Sequence, residues 1–209
     1  MNAALIGEGS SDKALLPILR WILGAASPAE ARLEWIDTAR IERRPRTLAQ
    51  KVAAANNLFT TCDLLFVHRD ADNQPPEWRY EEIRQAVGSR VYVAIVPIRM
   101  TEAWLLINPD AIRAASGRVT GTNDLGLPPL TTIEAEPDPK VTLHTALTRA
   151  HGATGRRAQR FDASRAVHRL ADLIEDWSPL RKLAAFRRVE EDTRNALVAL
   201  GMPIHPPST

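Results

Sequence analysis

Four short, largely apolar runs alternate with longer stretches in which apolar residues recur at every third or fourth position, and this alternation restricts the fold more than any other feature. Ala3 to Ile6, Leu33 to Ile36, Asp63 to Val67 and Val91 to Ile98 read as strands, the last rich in β-branched residues. Asp12 to Leu23 places Leu15, Leu16, Leu19 and Ile22 at helical spacing, and Thr47 to Phe59 and Glu77 to Val87 also read as helices. Repeated βα units of this kind give an α/β protein with a mostly parallel sheet flanked by helices on both faces.

After Pro97 the pattern changes. Glu102 to Ile107 reads as helix, and Gly117 to Pro139, which holds Pro128, Pro129, Pro137 and Pro139, reads as an irregular or flexible excursion. Val141 to Ala150, Ala163 to Trp177 and Pro179 to Leu200 then form a helical C-terminal portion. The expected organisation is a core over 1–116, a connecting segment over 117–139, a helical C-terminal extension over 140–202 and a fraying tail over 203–209.

With 209 residues and 44% hydrophobic content, the chain can bury one sizeable core. No apolar stretch reaches the ~20 residues of a membrane span, and the N-terminus shows no charged leader or cleavage pattern, so a cytoplasmic protein without membrane contact is expected. The single cysteine, Cys62, excludes an internal disulfide framework and a multi-cysteine zinc site, and reads as a small core residue.

Two acidic clusters follow strands. Gly7-Glu8-Gly9-Ser10-Ser11-Asp12 ends the first apolar run, and Asp70-Ala71-Asp72 follows the third. In open α/β sheets the functional crevice lies beyond the carboxyl ends of the strands, so these carboxylates can converge and offer hard oxygen ligands to Mg²⁺, with Mn²⁺ as a substitute. Taken singly, each cluster also has a plain reading: glycines for a tight turn, Asp12 at a helix N-terminus, Asp70 in a surface pair with Arg69 or Arg99.

Charge is uneven. Residues 1–139 carry 15 Lys/Arg against 18 Asp/Glu, whereas residues 140–200 carry 12 against 7. Arg156, Arg157, Arg160, Arg165 and Arg169 therefore either contact phosphates or solvate a helix face. The same two readings apply to Arg40, Arg43, Arg44 and Arg46 around Pro45. His68, His144 and His151 are read as packing residues. There is no phosphate loop of the Gly-x-x-x-x-Gly-Lys type and no third glycine for a dinucleotide fingerprint, so any ATPase belongs to another chain.

The order of Gly7-Glu8-Gly9 with Asp12, Arg69-Asp70-Ala71-Asp72, Glu102-Ala103-Trp104-Leu105-Leu106, Asp138-Pro139-Lys140 and Ser178-Pro179-Leu180-Arg181 with the following Phe186 resembles the Toprim-like proteins grouped as the domain of unknown function 4276. The resemblance covers most of the chain. It implies a Toprim-like, Rossmannoid sheet related to the overcoming-lysogenization-defect nucleases, with one glutamate and an Asp-x-Asp pair around magnesium. Carried over residue by residue, Glu8 is the strand-one glutamate, Asp70 and Asp72 are the metal-binding pair, and Asp12 and Glu102 are candidates for a second cation about 3.5–4 Å from the first. Lys140 would neutralise developing charge. If residues 70–72 are extended, the carboxylates at i and i+2 point the same way.

The implied activity is Mg²⁺-dependent cleavage of DNA or RNA phosphodiesters. Because several Toprim proteins look like phage-defence effectors beside an ABC-type ATPase, the resemblance also implies such a partner. The alternative is a non-catalytic Toprim-fold regulatory or binding subunit of an ATPase-containing complex. Strand transfer or nucleotide polymerisation is a third, weaker reading, since Tyr80 and Tyr92 lack the context of a topoisomerase nucleophile and the chain is short for a primase. A homo-oligomer is compatible with the sequence and is not specified by it.

Overall fold

The computed structural model of the chain describes residues 1–41 and 45–206. Arg43 and Arg44, and the end of the expected fraying tail, lie outside the described residues. The elements run β1 (Asn2–Ile6), α1 (Leu15–Ala26), β2 (Arg32–Trp35), α2 (Leu48–Leu58), β3 (Leu64–His68), α3 (Pro76–Val87), β4 (Tyr92–Ile95), α4 (Glu102–Leu105), α5 (Pro109–Ala115), α6 (Pro139–His151), α7 (Arg156–Gln159), α8 (Ala163–Leu173) and α9 (Ala184–Ala199). The four strands form one sheet in the order β2-β1-β3-β4, parallel throughout, so the fold is α/β as the alternating pattern predicts.

Side chains alternate cleanly across the sheet, as the two-residue strand period requires. Leu5, Phe66 and Val93 face a large cluster with α1 and the helices after β4, whereas Ile6, Val67 and Ala94 face a smaller cluster completed by Val52 of α2 and Ile83 of α3. Both faces are covered, which explains why the central strands read as continuous apolar runs.

Leu147, Val167, Leu170, Phe186 and Leu197 all belong to the same cluster as Leu5 and Phe66. The helices of 140–202 thus supply one wall of the main core. Trp104 is fully buried and meets Phe186 edge-on at 5.5 Å and 83°.

Several boundaries differ from the sequence reading. The predicted helix over Asp12 to Leu23 is split into a 3₁₀ turn at Ser10–Ala14 and α1. The predicted helix over Ala163 to Trp177 stops at Leu173 because Ile174 turns extended, although Ile174 and Trp177 keep apolar helical spacing. Pro179 to Leu200 divides into a 3₁₀ turn at Ser178–Lys182 and α9, separated by extended Leu183. Within 117–139, Leu125 and Ile133 are buried in the main core, which anchors a segment expected to be loose. The start of the tail is also held: His205 N–H donates to Ala26 O at 2.9 Å, and Ser27 Oγ donates to Pro203 O at 2.6 Å.

Among the described residues no helix is long and apolar enough to cross a membrane. Removing the ring that joins the C-terminal helices to the core tests their integration. Phe186→Ala should cost about 3–5 kcal/mol in urea unfolding. The loss should appear in one cooperative transition; separate transitions for the sheet and the C-terminal helices would contradict a shared core.

Candidate functional site

Strand order fixes where a site can form. The chain leaves β1 for β2 on one side and returns to β3 on the other, so the crevice opens at the carboxyl ends of β1 and β3. Ile6 pairs with Val67, which sets Gly7 and Glu8 beside His68 and Arg69. Parallel pairing continues into the next loops, with Arg69 N–H donating to Ile95 O and Ala71 N–H to Pro97 O. This brings Asp70 alongside Thr101, just before α4.

His68 is the centre of the resulting cluster. Its Nδ1 lies 2.9 Å from Asp12 Oδ2, and its Nε2 lies 3.1 Å from Asp70 Oδ1 and 2.9 Å from Thr101 Oγ1. Burial alone would lower its pKa; the hydrogen bonds and charges of Asp12 and Asp70 outweigh burial and push it up to about 10. The ring is therefore an imidazolium at neutral pH and donates from both nitrogens. The histidine read from sequence as a satisfied, packed side chain is buried as expected, and what satisfies it is a carboxylate on each side.

Asp12 is fully engaged from within. Its Oδ2 also accepts from the N–H of Glu8 at 2.6 Å and of Gly9 at 3.3 Å, and Ser11 Oγ donates to Oδ1. Burial raises this carboxyl, but His68 and the two amides more than compensate and hold it below its ordinary value. Gly7 is required here by close approach: a Cβ at that position would collide with the Asp12 carboxylate and would stand 2.8 Å from Trp35 Cη2. The plain reading of Asp12 as a turn-stabilising residue is realised, together with the link to His68.

Glu8, Asp12, Asp70 and Glu102 line one cavity of about 350 Å³, with Lys140 at its edge. Burial raises the carboxyls of Glu8 and Glu102; Arg69 then lowers Glu8, and Lys140 lowers Glu102, while the charges of Asp70 and Asp12 raise both. The four carboxylates thus share one electrostatic environment. Arg69 Nη1 pairs with Glu8 Oε1 at 2.9 Å, and Lys140 Nζ stands 3.9 Å from Glu102 Oε1.

Asp72 stands apart. The strand ends at His68, and Asp72 adopts a left-handed conformation (φ 54°), so the extended geometry expected of residues 70–72 is not formed. Its side chain is 46% exposed against 19% for Asp70, pairs with Arg79 Nη2 at 3.2 Å, and does not line the acidic cavity. Arg79 also donates to Asp70 O at 2.9 Å, so it braces the whole turn.

The donor chemistry fits a hard cation. Asp70 Oδ1 is occupied by Thr101 N–H and His68, which leaves Oδ2, and one oxygen each of Glu8 and Glu102, without a hydrogen-bond partner among the described residues. Among the described residues no group of three or more His, Cys, Asp or Glu side chains is assembled to hold a metal ion. Mg²⁺ does not require one, because it keeps several waters and commonly takes one or two protein carboxylates.

A second, larger cavity of about 1200 Å³ lies on the other side of the β1 turn, between Trp35, Asp37 and α2, and shares Glu8 and Gly9 with the acidic one. Lys51 Nζ donates there to Gly7 O and Glu8 O, both at 2.9 Å. Sequence reasoning missed His68, Thr101, Arg79 and Lys51 as contributors to this region. The signal for His68 was present: a polar residue ending an otherwise apolar buried strand, two positions before an aspartate.

Because folding raises the His68 pKa from 6.5 to about 10, the folded state holds an extra proton between those values. The stability it contributes should be complete below pH 6.5 and disappear as pH rises towards 10. Denaturant titrations across that range should show the loss in the wild type and a flatter profile in His68→Ala. At neutral pH that substitution should cost about 3 kcal/mol, since it strands two carboxylates. Gly7→Ala should cost about 1–3 kcal/mol through overpacking. No family model, no curated protein and no solved structure matches this chain.

Proposed function

We propose that the acidic cleft is the active site of a Mg²⁺-dependent phosphodiester hydrolase acting on DNA or RNA in a cytoplasmic setting. The observation that carries this reading is the convergence of Glu8, Asp12, Asp70 and Glu102 on one cavity at the switch point of a parallel sheet, with Lys140 at its rim. Asp70 and Glu102 would hold the cation, with Glu8 beside them on the same cavity wall. When bound, a divalent cation supplies Lewis-acid stabilisation to phosphate oxygens and lowers the pKa of water.

The chain's own residues divide the remaining work. Burial and the neighbouring carboxylates raise the Glu8 carboxyl, which strengthens it as acceptor of the proton from an attacking water. His68 and Thr101 fix Asp70 through Oδ1, which leaves Oδ2 without a hydrogen-bond partner among the described residues. Lys140, a compact point charge, offsets negative charge developing on the phosphate. Asp72 acts with Arg79 to hold the turn.

A second reading rests on a specific observation. His68 and Arg69 already neutralise carboxylates of the cluster from within. Such a cluster is also suited to a non-catalytic subunit that works beside a separate ATPase.

The discriminating assay is cleavage of single- and double-stranded DNA and RNA with Mg²⁺, Mn²⁺ or EDTA, with and without an ATPase partner. Asp70→Asn should abolish metal-dependent cleavage, and Glu8→Gln should lower its rate about 100-fold or more. Asp72→Asn should retain most activity with some loss of stability. Absence of metal-dependent cleavage under every condition favours the binding subunit.

A further inference from the structure

Five arginines surround a second concavity behind α8. Arg118 after α5, Arg157 and Arg160 at α7, and Arg165 and Arg169 of α8 line a pocket of about 640 Å³. Asp162 is the one carboxylate in the lining, and its side chain accepts from Arg165 N–H as the N-cap of α8. None of the five guanidinium groups has a carboxylate within 4.0 Å among the described residues.

Several arginines elsewhere are paired, and what sets the five apart is that they line one concavity together. Arg69, Arg79, Arg84, Arg181 and Arg188 each pair with an aspartate or glutamate. The pocket arginines come from three separate segments and converge on one hollow, unlike a solvated face of a single helix. Unpaired like charges gathered in a concavity repel one another and raise the local concentration of anions. Guanidinium forks match phosphate oxygens in geometry as well as charge.

The floor of the pocket is firm. The His151 and Phe161 rings stack at 4.3 Å with an interplanar angle of 12°, and His151 Nδ1 is tied to Ser116 O at 2.9 Å. Arg156, grouped with these arginines in the sequence, is not in the lining.

The placement of the pocket suggests what fills it. Arg165 and Arg169 lie one turn apart on the pocket side of α8, whereas Val167 of the same helix lines the acidic cavity. One helix, about 10–12 Å across, therefore separates the two sites. We infer that the arginine pocket binds nucleotide phosphates, and that their source is a nucleic-acid strand whose continuation reaches the acidic cleft across α8. The choice of a strand over a free nucleotide rests on the hydrolase reading; the phosphate site does not.

The test is fluorescence-anisotropy binding of a labelled single-stranded oligonucleotide of about 12 nucleotides to the full chain in EDTA, which removes any metal-dependent step. Arg157→Ala/Arg160→Ala/Arg165→Ala should raise Kd at least about tenfold and reduce the slope of log K against log salt by about 2, at roughly 0.7 per lost phosphate contact. Arg20→Ala, an exposed arginine outside the pocket, should bind like wild type. Unchanged affinity and slope in the triple variant, with wild-type thermal unfolding, would overturn the inference. Competition by a nucleoside monophosphate as effective as that of the oligonucleotide would overturn the strand assignment. If the triple variant loses binding while the wild type never cleaves, the pocket stands and the hydrolase reading falls.

Discussion

One buried charge organises the carboxyl edge of the sheet. His68 has no exposed side-chain surface, yet it is held as a cation by Asp12 on one nitrogen and Asp70 on the other. Burying a charge is tolerable only where partners satisfy it, so the three residues are mutually dependent. The dependence spreads outward. Asp12 fixes the amides of Glu8 and Gly9, while Asp70 takes the amide of Thr101 and so sets the start of α4 and Glu102. Loops after three different strands are thereby locked in one arrangement by a single imidazolium.

This internal neutralisation separates the two sides of the molecule. In the acidic half nearly every charge near the cleft has a named partner, and the open oxygens of Glu8, Asp70 and Glu102 are the exceptions. Around α7 and α8 the arginines converge without counterions. On the proposed hydrolase reading a polyanion would need both conditions: a place where negative charge is stabilised locally for chemistry, and one where phosphate charge is held from outside. α8 contributes to both, through Val167 on one side and Arg165 and Arg169 on the other.

Much of this was legible in the sequence. The four strands and α1 to α3 follow from apolar periodicity, and the location of Glu8 and Asp70 beyond paired strands follows from the βα order. Periodicity does not distinguish a 3₁₀ turn from the first turn of a helix, so the helix expected from Asp12 takes in the end of the turn Ser10–Ala14. Nor does it register a single extended residue, and for that reason Ile174 and Leu183 escaped notice. The orientation of Asp72 depends on a left-handed backbone at a non-glycine residue, a conformation held by Asp72 N–H donating to Arg99 O at 2.9 Å and by Arg79 from the next helix. Arg99 is itself left-handed (φ 65°), so each turn depends on the other. Such long-range dependence has no local signature.

The turn from Gly7 to Gly9 has a consequence of a different kind. It is a partition, with the acidic cavity on one side and the larger hollow beside Trp35 on the other, and Glu8 and Gly9 face both. The partition is thin because Gly7 has no side chain, and it is pinned on one surface by Asp12 and on the other by Lys51. The two chambers are therefore built on one short stretch of backbone, and any substitution in it alters the lining of both.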